Sequence, residues 1–264
     1  MKLGTDKLIG EKDGPIGWLI FNNPERRNAM SHEMWKAASE VLDAFAADPD
    51  VRVVVMKGAG DKAFVSGADI SQFEKTRRDA ETTAQYSKVS DGARKRMADL
   101  EKPLIAMIRG FCLGGGLGVA LAADFRIASS DSQFGIPAAK LSIAYGFEGL
   151  KSLVALVGPG VAKQILYTGR RYPAEVALRM GLIEEVVPPE KLEETVRDYA
   201  ITIAENAPLS IRATKHTIRQ IYTDESRRDM ALLERLAREA ADSADFAEGR
   251  RAFMEKRKPV FVGR

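Results

Sequence analysis

The segment Gly110-Phe111-Cys112-Leu113-Gly114-Gly115-Gly116-Leu117-Gly118 narrows what this chain can fold into more than any other stretch. It follows a strand-like apolar run, Pro103-Leu104-Ile105-Ala106-Met107-Ile108, and leads toward a helix. A strand that turns through glycines into a helix places backbone N–H groups at the helix N-terminus, where negative charge is stabilised. Ala63-Phe64-Val65-Ser66-Gly67-Ala68-Asp69-Ile70 has the same character after the β-branched run 51–57. Two converging amides can hold the oxygen of an enolate or tetrahedral anion, and loss of one such donor costs about 3–4 kcal/mol. Two readings compete: the glycines only let a helix pack tightly on its strand, or Gly114 and Gly116 form a loose dinucleotide fingerprint. The second lacks the acidic residue expected after a following strand.

The surrounding pattern reads as an α/β body. Ile16–Phe21 is strand-like and halts at Asn22-Asn23-Pro24. Ser31 is a candidate N-cap, and Met34, Ala38, Val41, Leu42 and Phe45 recur at helical spacing. The runs 51–57, 103–108 and 125–128 are buried-strand candidates. Between the first two lies a charge-rich, helix-length segment, 80–100, expected to face solvent. Beyond about residue 148 the strand signal nearly disappears, and 174–180, 189–206, 210–222 and 224–255 favour helix. The expected organisation is an α/β core over residues 1–200 and a helical C-terminal region over 201–264 within one structural unit.

Bulk properties exclude several classes. With 45% hydrophobic residues among 264, the chain can build a core, and 40 basic against 37 acidic side chains leave a net charge of +3, too little for a nucleic-acid footprint. The single Cys112 lies in an apolar run, which fits a buried thiol and a reducing, cytoplasmic setting. Neither a signal-peptide segment nor a membrane-length apolar stretch is visible. The two histidines, His32 and His216, lie in helical stretches without metal-ligand spacing, so a metal site and a Ser-His-Asp triad lack support.

Asn23-Pro24-Glu25-Arg26-Arg27-Asn28-Ala29-Met30, Phe64-Val65-Ser66-Gly67-Ala68-Asp69-Ile70 and the glycine-rich segment together resemble the ordered motifs of the crotonase (enoyl-CoA hydratase/isomerase) superfamily. So do Ala123-Asp124-Phe125-Arg126-Ile127-Ala128, Phe134-Gly135-Ile136-Pro137 and the ending that runs from Gly249 to Pro259. The resemblance implies a spiral of β-β-α repeats whose C-terminal helices assemble a trimer or a dimer of trimers. It assigns the backbone N–H groups of Ala68 and Gly115 to an oxyanion hole around an acyl-CoA thioester carbonyl. It also implies that Arg27, Ala29, Ala68, Asp69, Ile70 and Ser71 line the CoA moiety. Phe253 and Lys256 match positions that meet the nucleotide end of CoA, often from a neighbouring subunit. No cofactor beyond the substrate's CoA is implied.

The chain departs from that pattern where it matters. Hydratases of the family carry two glutamates for moving protons, and here those positions are Gly118 and Ala138, neither of which has a side chain able to do so. Tyr145 and Glu148, in the segment leading to the next helix, are the candidate replacements. The Tyr145 segment, with the ending Asp242-Ser243 to Gly263, resembles the methylmalonyl-CoA decarboxylase branch, although that branch has a histidine at the position of Ala68. Decarboxylation or a proton shift is therefore expected over standard hydration. The alternatives are hydration through Tyr145 or Glu148, and acyl-CoA binding without catalysis. RNA binding, known for a relative with a lysine-rich helix, has only Lys36 in the matching helix to support it.

Overall fold

A computed structural model describes residues 3–69 and 78–264. Among the described residues ten strands form two sheets. β1 (Leu8–Asp13), β2 (Ile16–Phe21), β3 (Val53–Gly58), β5 (Leu104–Ile108), β7 (Phe125–Ser129) and β10 (Glu185–Val187) make the larger one, in the order β1-β2-β3-β5-β7-β10. Its strands run parallel except for the β1–β2 hairpin. β4 (Ala63–Val65), β6 (Phe111–Leu113), β8 (Gln133–Gly135) and β9 (Tyr172–Pro173) form the smaller sheet in that order.

The chain alternates between the sheets. β3 joins the large sheet and β4 the small; β5 and β6 repeat the step, then β7 and β8. Helices follow: α1 (His32–Ala47) precedes the first pair, α2 (Ala80–Asp99) follows it, α3 (Gly115–Ala120) follows the second, and α4 (Phe147–Thr168) comes after the third. This is the spiral of β-β-α units that the resemblance implies. Gly110 turns one corner at φ +67°, and a methyl group there would overlap the Lys62 carbonyl oxygen, so no other residue fits without a shift.

Alternation along the strands explains why the large sheet is buried on both faces. Val54, Met56, Leu104, Ala106 and Ile108 face a core shared with α1, α2 and the small sheet. Val53, Val55, Ile105, Met107 and Ile127 face the other way, toward Leu192, Val196 and Ala200 of a later helix, Leu192–Ala204. Continuous β-branched runs are what two-sided burial requires.

α1 begins as its sequence reads: the Ser31 hydroxyl accepts from the Met34 amide, and all five residues of the apolar stripe are buried. α2 corrects an expectation. It presents charge to solvent, but Tyr86, Ser90, Ala93 and Met97 form a buried stripe, and the helix packs on α1. Strand β1 was not evident because Glu11, Lys12 and Asp13 are exposed, and β9 and β10 are too short to give a periodic signal.

The C-terminal part is helical. α5 (Ala174–Arg179) and α6 (Leu192–Ala204) are followed by α7 (Pro208–Ile221), α8 (Met230–Ala241) and α9 (Ala244–Glu255). The charged stretch 224–255 is thus two helices, divided where Ser243 caps α9. Pro208 opens α7, because proline has no N–H to satisfy in a first turn. Among the described residues no helix is long and apolar enough to cross a membrane.

The last residues fold back onto α9. The buried carboxylate of Asp245 accepts from the amides of Val262 at 2.7 Å and Gly263 at 2.8 Å. Glu248 accepts from Arg257 at 2.6 Å and from the Val260 amide at 3.1 Å, and pairs with Arg251. These donors, Arg257 foremost and then Arg251 and the Val260 amide, hold the Glu248 carboxyl down at about 2. A depressed carboxyl contributes stability above its unfolded pKa and loses it as pH falls through the folded value. The Glu248 share of tail docking should therefore weaken progressively as pH falls below the ordinary carboxylate range and be gone below about pH 2. Carboxyl NMR of Glu248 should show that midpoint; titration near the model-peptide value of about 4.3 would mean an undocked tail.

Candidate functional site

The site begins with the turn 22–30. Arg27 and Asn28 both adopt left-handed backbone, φ +52° and +56°, a region asparagine tolerates better than most residues. Asn28 is fully buried. Its Oδ1 accepts from the Asn23 amide at 2.9 Å, and its Nδ2 donates to the carbonyls of Ala59 at 3.0 Å and Ala63 at 2.7 Å. One side chain thus ties the turn to the corner between β3 and β4.

That tie brings Met30 beside the chain leaving β4. The Met30 amide donates to the Gly67 carbonyl at 2.8 Å and the Asp69 amide donates to the Met30 carbonyl at 3.0 Å, a parallel bridge opposite Ala68. Successive amides in extended chain point to opposite sides. With Asp69 N–H turned toward Met30, the N–H of Ala68 is turned away from it.

On that side lies Gly115. Each glycine of the triplet has its own reason. Gly114 takes φ +54° and ψ −121° as the N-cap of α3, and its amide donates to the Gly135 carbonyl at 2.8 Å. A methyl group on Gly116 would overlap the Val65 carbonyl oxygen, so Gly116 is where α3 closes onto β4. Gly115 has no such neighbour: a methyl group there would lie 3.8 Å from the Ala68 nitrogen, in ordinary contact. As the first helical residue, its N–H has no intrahelical acceptor. Among the described residues, neither the Ala68 nor the Gly115 amide donates to a backbone carbonyl. The far end of α3 is held by buried Arg126, which donates to the carbonyls of Ala123 at 3.0 Å and Leu182 at 3.1 Å and pairs with Glu184 at 2.5 Å. Two fixed N–H groups beside a patch without side chains can bind one anionic oxygen.

The two positions lacking glutamate belong to the same region. Gly118 lies one turn beyond Gly115 on α3, and Pro137, next to buried Ala138, approaches within 4.0 Å of a methyl group placed on Gly114. Tyr145 is half-buried against the main core, with its ring 3.6 Å from a methyl group placed on Gly149. Glu148 is exposed in the first turn of α4 instead of the loop before it. Burial pushes the Cys112 thiol up, as for a structural cysteine.

Of the residues matched to CoA contacts, Arg27, Ala29, Ala68 and Asp69 are adjacent through the Met30 bridge, while Ile70 and Ser71 lie outside the described residues. The Arg27 guanidinium lies 5.2 Å from the Phe111 ring, and Arg171 approaches the same ring at 5.2 Å. Phe253, 83% exposed, and Lys256, the left-handed C-cap, stand at the end of α9.

Arg94 on α2 was not distinguished from its charged neighbours in the sequence. Its guanidinium stacks 4.7 Å from the buried Trp35 ring, and its Nη1 pairs with Asp91 at 2.9 Å. Its Nη2 and Nε lie 3.8 Å from methyl groups placed on Gly115 and Gly118, respectively. The pattern Tyr86, Ser90, Ala93, Met97 shows that this turn of α2 faces inward, but serine and alanine at two of the four positions mask it.

The family model described as enoyl-CoA hydratase/isomerase matches residues 11–264. A short-chain-enoyl-CoA hydratase of Clostridium acetobutylicum is 35% identical over 253 residues, 96% of either chain. A crotonyl-CoA hydratase of Syntrophomonas wolfei is 34% identical over 262 residues, 99% of this chain and 100% of that one. The solved structure of an enoyl-CoA hydratase/carnithine racemase from Magnetospirillum magneticum superposes with a TM-score of 0.94 at 34% identity, covering 99% of this chain and 97% of that one.

The glycines separate by experiment. Gly116→Ala forces backbone overlap and should destabilise the fold by about 3 kcal/mol or more, whereas Gly115→Ala should change stability by about 1 kcal/mol at most. Urea unfolding of both variants checks this; equal losses would mean that Gly115 is also a packing glycine.

Proposed function

Because this chain belongs to the enoyl-CoA hydratase/isomerase family, we propose that it binds an acyl-CoA with the thioester oxygen between the N–H groups of Ala68 and Gly115. What supports this reading is that the Ala68 amide lies beside Gly115 and that, among the described residues, neither amide donates to a backbone carbonyl. As an enolate forms, charge moves onto the thioester oxygen, and fixed donors there stabilise the transition state more than the ground state. Arg27, with Arg171 beside it, supplies positive charge for the phosphates of CoA, and Phe253 and Lys256 serve its nucleotide end from a neighbouring subunit. This chemistry calls for no cofactor beyond the CoA of the substrate.

The reaction we favour is decarboxylation or a proton shift. In decarboxylation the bond from Cα to the carboxyl carbon breaks, CO2 leaves, and the electron pair stays as the enolate, so no base is needed. Gly118 and Ala138 cannot supply one. Tyr145 and Glu148 are the candidate groups for returning a proton to Cα. Hydration through those residues is the second reading, favoured by similarity to two relatives that are hydratases by name.

Assays on methylmalonyl-CoA and crotonyl-CoA separate the two. Decarboxylation or Cα–H exchange in D2O with the first is expected, and hydration of the second at least about a hundredfold slower, since general acid–base catalysis contributes roughly 10²–10⁴. Rapid hydration of crotonyl-CoA would overturn the reading, and its loss in Tyr145→Phe or Glu148→Gln would then identify the acid–base group.

We also propose assembly as a trimer or a dimer of trimers. Support comes from Phe253 and Met254, 83% and 80% exposed, together with exposed Ile221, Tyr222 and Met230 on the C-terminal helices. Sedimentation should give three or six times the 28.9 kDa chain mass; a monomer would contradict it.

A further inference from the structure

Arg94 has one edge of its guanidinium engaged and the other turned to the site. The Nη1 atom donates to Asp91 at 2.9 Å and reaches Ser90 at 3.5 Å, and the plane stacks on Trp35, whose Nε1 donates to the Tyr86 hydroxyl at 3.0 Å. The side chain is only 32% exposed. Held on three sides, it has little rotamer freedom left to lose on binding. The remaining edge, Nε and Nη2, makes no hydrogen bond among the described residues, and its two nitrogens lie over Gly118 and Gly115. That edge matches the two oxygens of a carboxylate in a bidentate pair.

The glycines are what admit it. A glutamate at position 118 would extend into the space beside the Arg94 Nε, 3.8 Å from its Cβ, and would meet the guanidinium itself. With glycine there, the donor edge stays open. A fixed cation stands beside a position where the family's hydratases hold a proton-transferring acid. Arginine is an obligate donor and cannot take over that role.

We infer that the acyl group of the substrate carries its own carboxylate, which the Nε–Nη2 edge of Arg94 binds a few bonds from the thioester carbonyl. This rests on acyl-CoA binding at Ala68 and Gly115, and it specifies the substrate class: short-chain acyl-CoA thioesters with a second carboxyl group. It also discriminates between reactions. A guanidinium stabilises a carboxylate in its charged form, whereas CO2 loss discharges it, so a carboxylate held here is one the reaction keeps. A proton shift at Cα is the step such a site serves best.

Succinyl-CoA and butyryl-CoA have the same number of acyl carbons, and only the first ends in a carboxylate. Calorimetric titration of the intact protein should show succinyl-CoA binding at least about tenfold tighter, as a charge-assisted hydrogen-bonded pair warrants. In Arg94→Gln the ratio of the two affinities should fall to near one, and in Arg94→Lys, which keeps charge but loses the fork, to an intermediate value. Free CoA, which never reaches Arg94, reports that each variant remains folded. Equal binding of both thioesters by the native protein would overturn the inference and leave the amide site standing. So would an Arg94→Gln variant that weakens both thioesters alike, which would make Arg94 a third donor to the thioester oxygen. Failure of butyryl-CoA, succinyl-CoA and CoA alike to bind would sink the acyl-CoA reading and this inference with it.

Discussion

The geometry of the site depends on one short parallel bridge, between Met30 and the chain around Ala68. By taking the Gly67 carbonyl and the Asp69 amide, Met30 decides which way the intervening amide points. A strand cannot turn a single N–H independently of its neighbours, so this is a more rigid device than a side chain. The bridge in turn depends on Asn28, whose amide group is satisfied by backbone from both sides of the β3–β4 corner. The opposing amide is set by Gly116, which seats the helix against Val65. The two halves of the proposed anion site are thus positioned by separate contacts that meet at β4. Such preorganisation is what makes backbone donors effective against charge that appears only during reaction.

Much of this was legible in the sequence, and what was not has physical causes. The glycine triplet, the Ser31 cap and the β-branched runs announce themselves because each residue type is needed for a local reason. The positions of Ala68 and Gly115 came from family likeness, since nothing in a side chain marks an amide as a donor. β1, β9 and β10 were missed, one for its exposed polar face and the others for their length. Arg94 was hidden by composition: in a helix bearing many charges, the arginine facing inward looks the same as those facing water. Only the packing of Trp35 and the absence of side chains at Gly115 and Gly118 distinguish it.

If Gly118 and Ala138 stand at the family's two glutamate positions, as proposed, they change the electrostatics of the site as well as its proton inventory. Two acidic groups near an anion hole oppose the charge that the hole must bear, whereas glycine, alanine and a guanidinium favour it. On the proposed reading the site holds negative charge on amides and a guanidinium, and a proton moved at Cα is left to Tyr145 or Glu148.

The alternation of strands between two sheets has a consequence for how this chain can vary. In an ordinary sheet, one inserted residue shifts a single strand and can be absorbed by a bulge. Here each corner joins a strand of the large sheet to one of the small, so an insertion at 59–62 or 109–110 would displace the pairing of both, and a slip by one residue turns core side chains outward. The connections between α7, α8 and α9 carry no such double constraint. Length changes should accumulate among the C-terminal helices, while the corners tolerate no insertion and Gly110 no substitution.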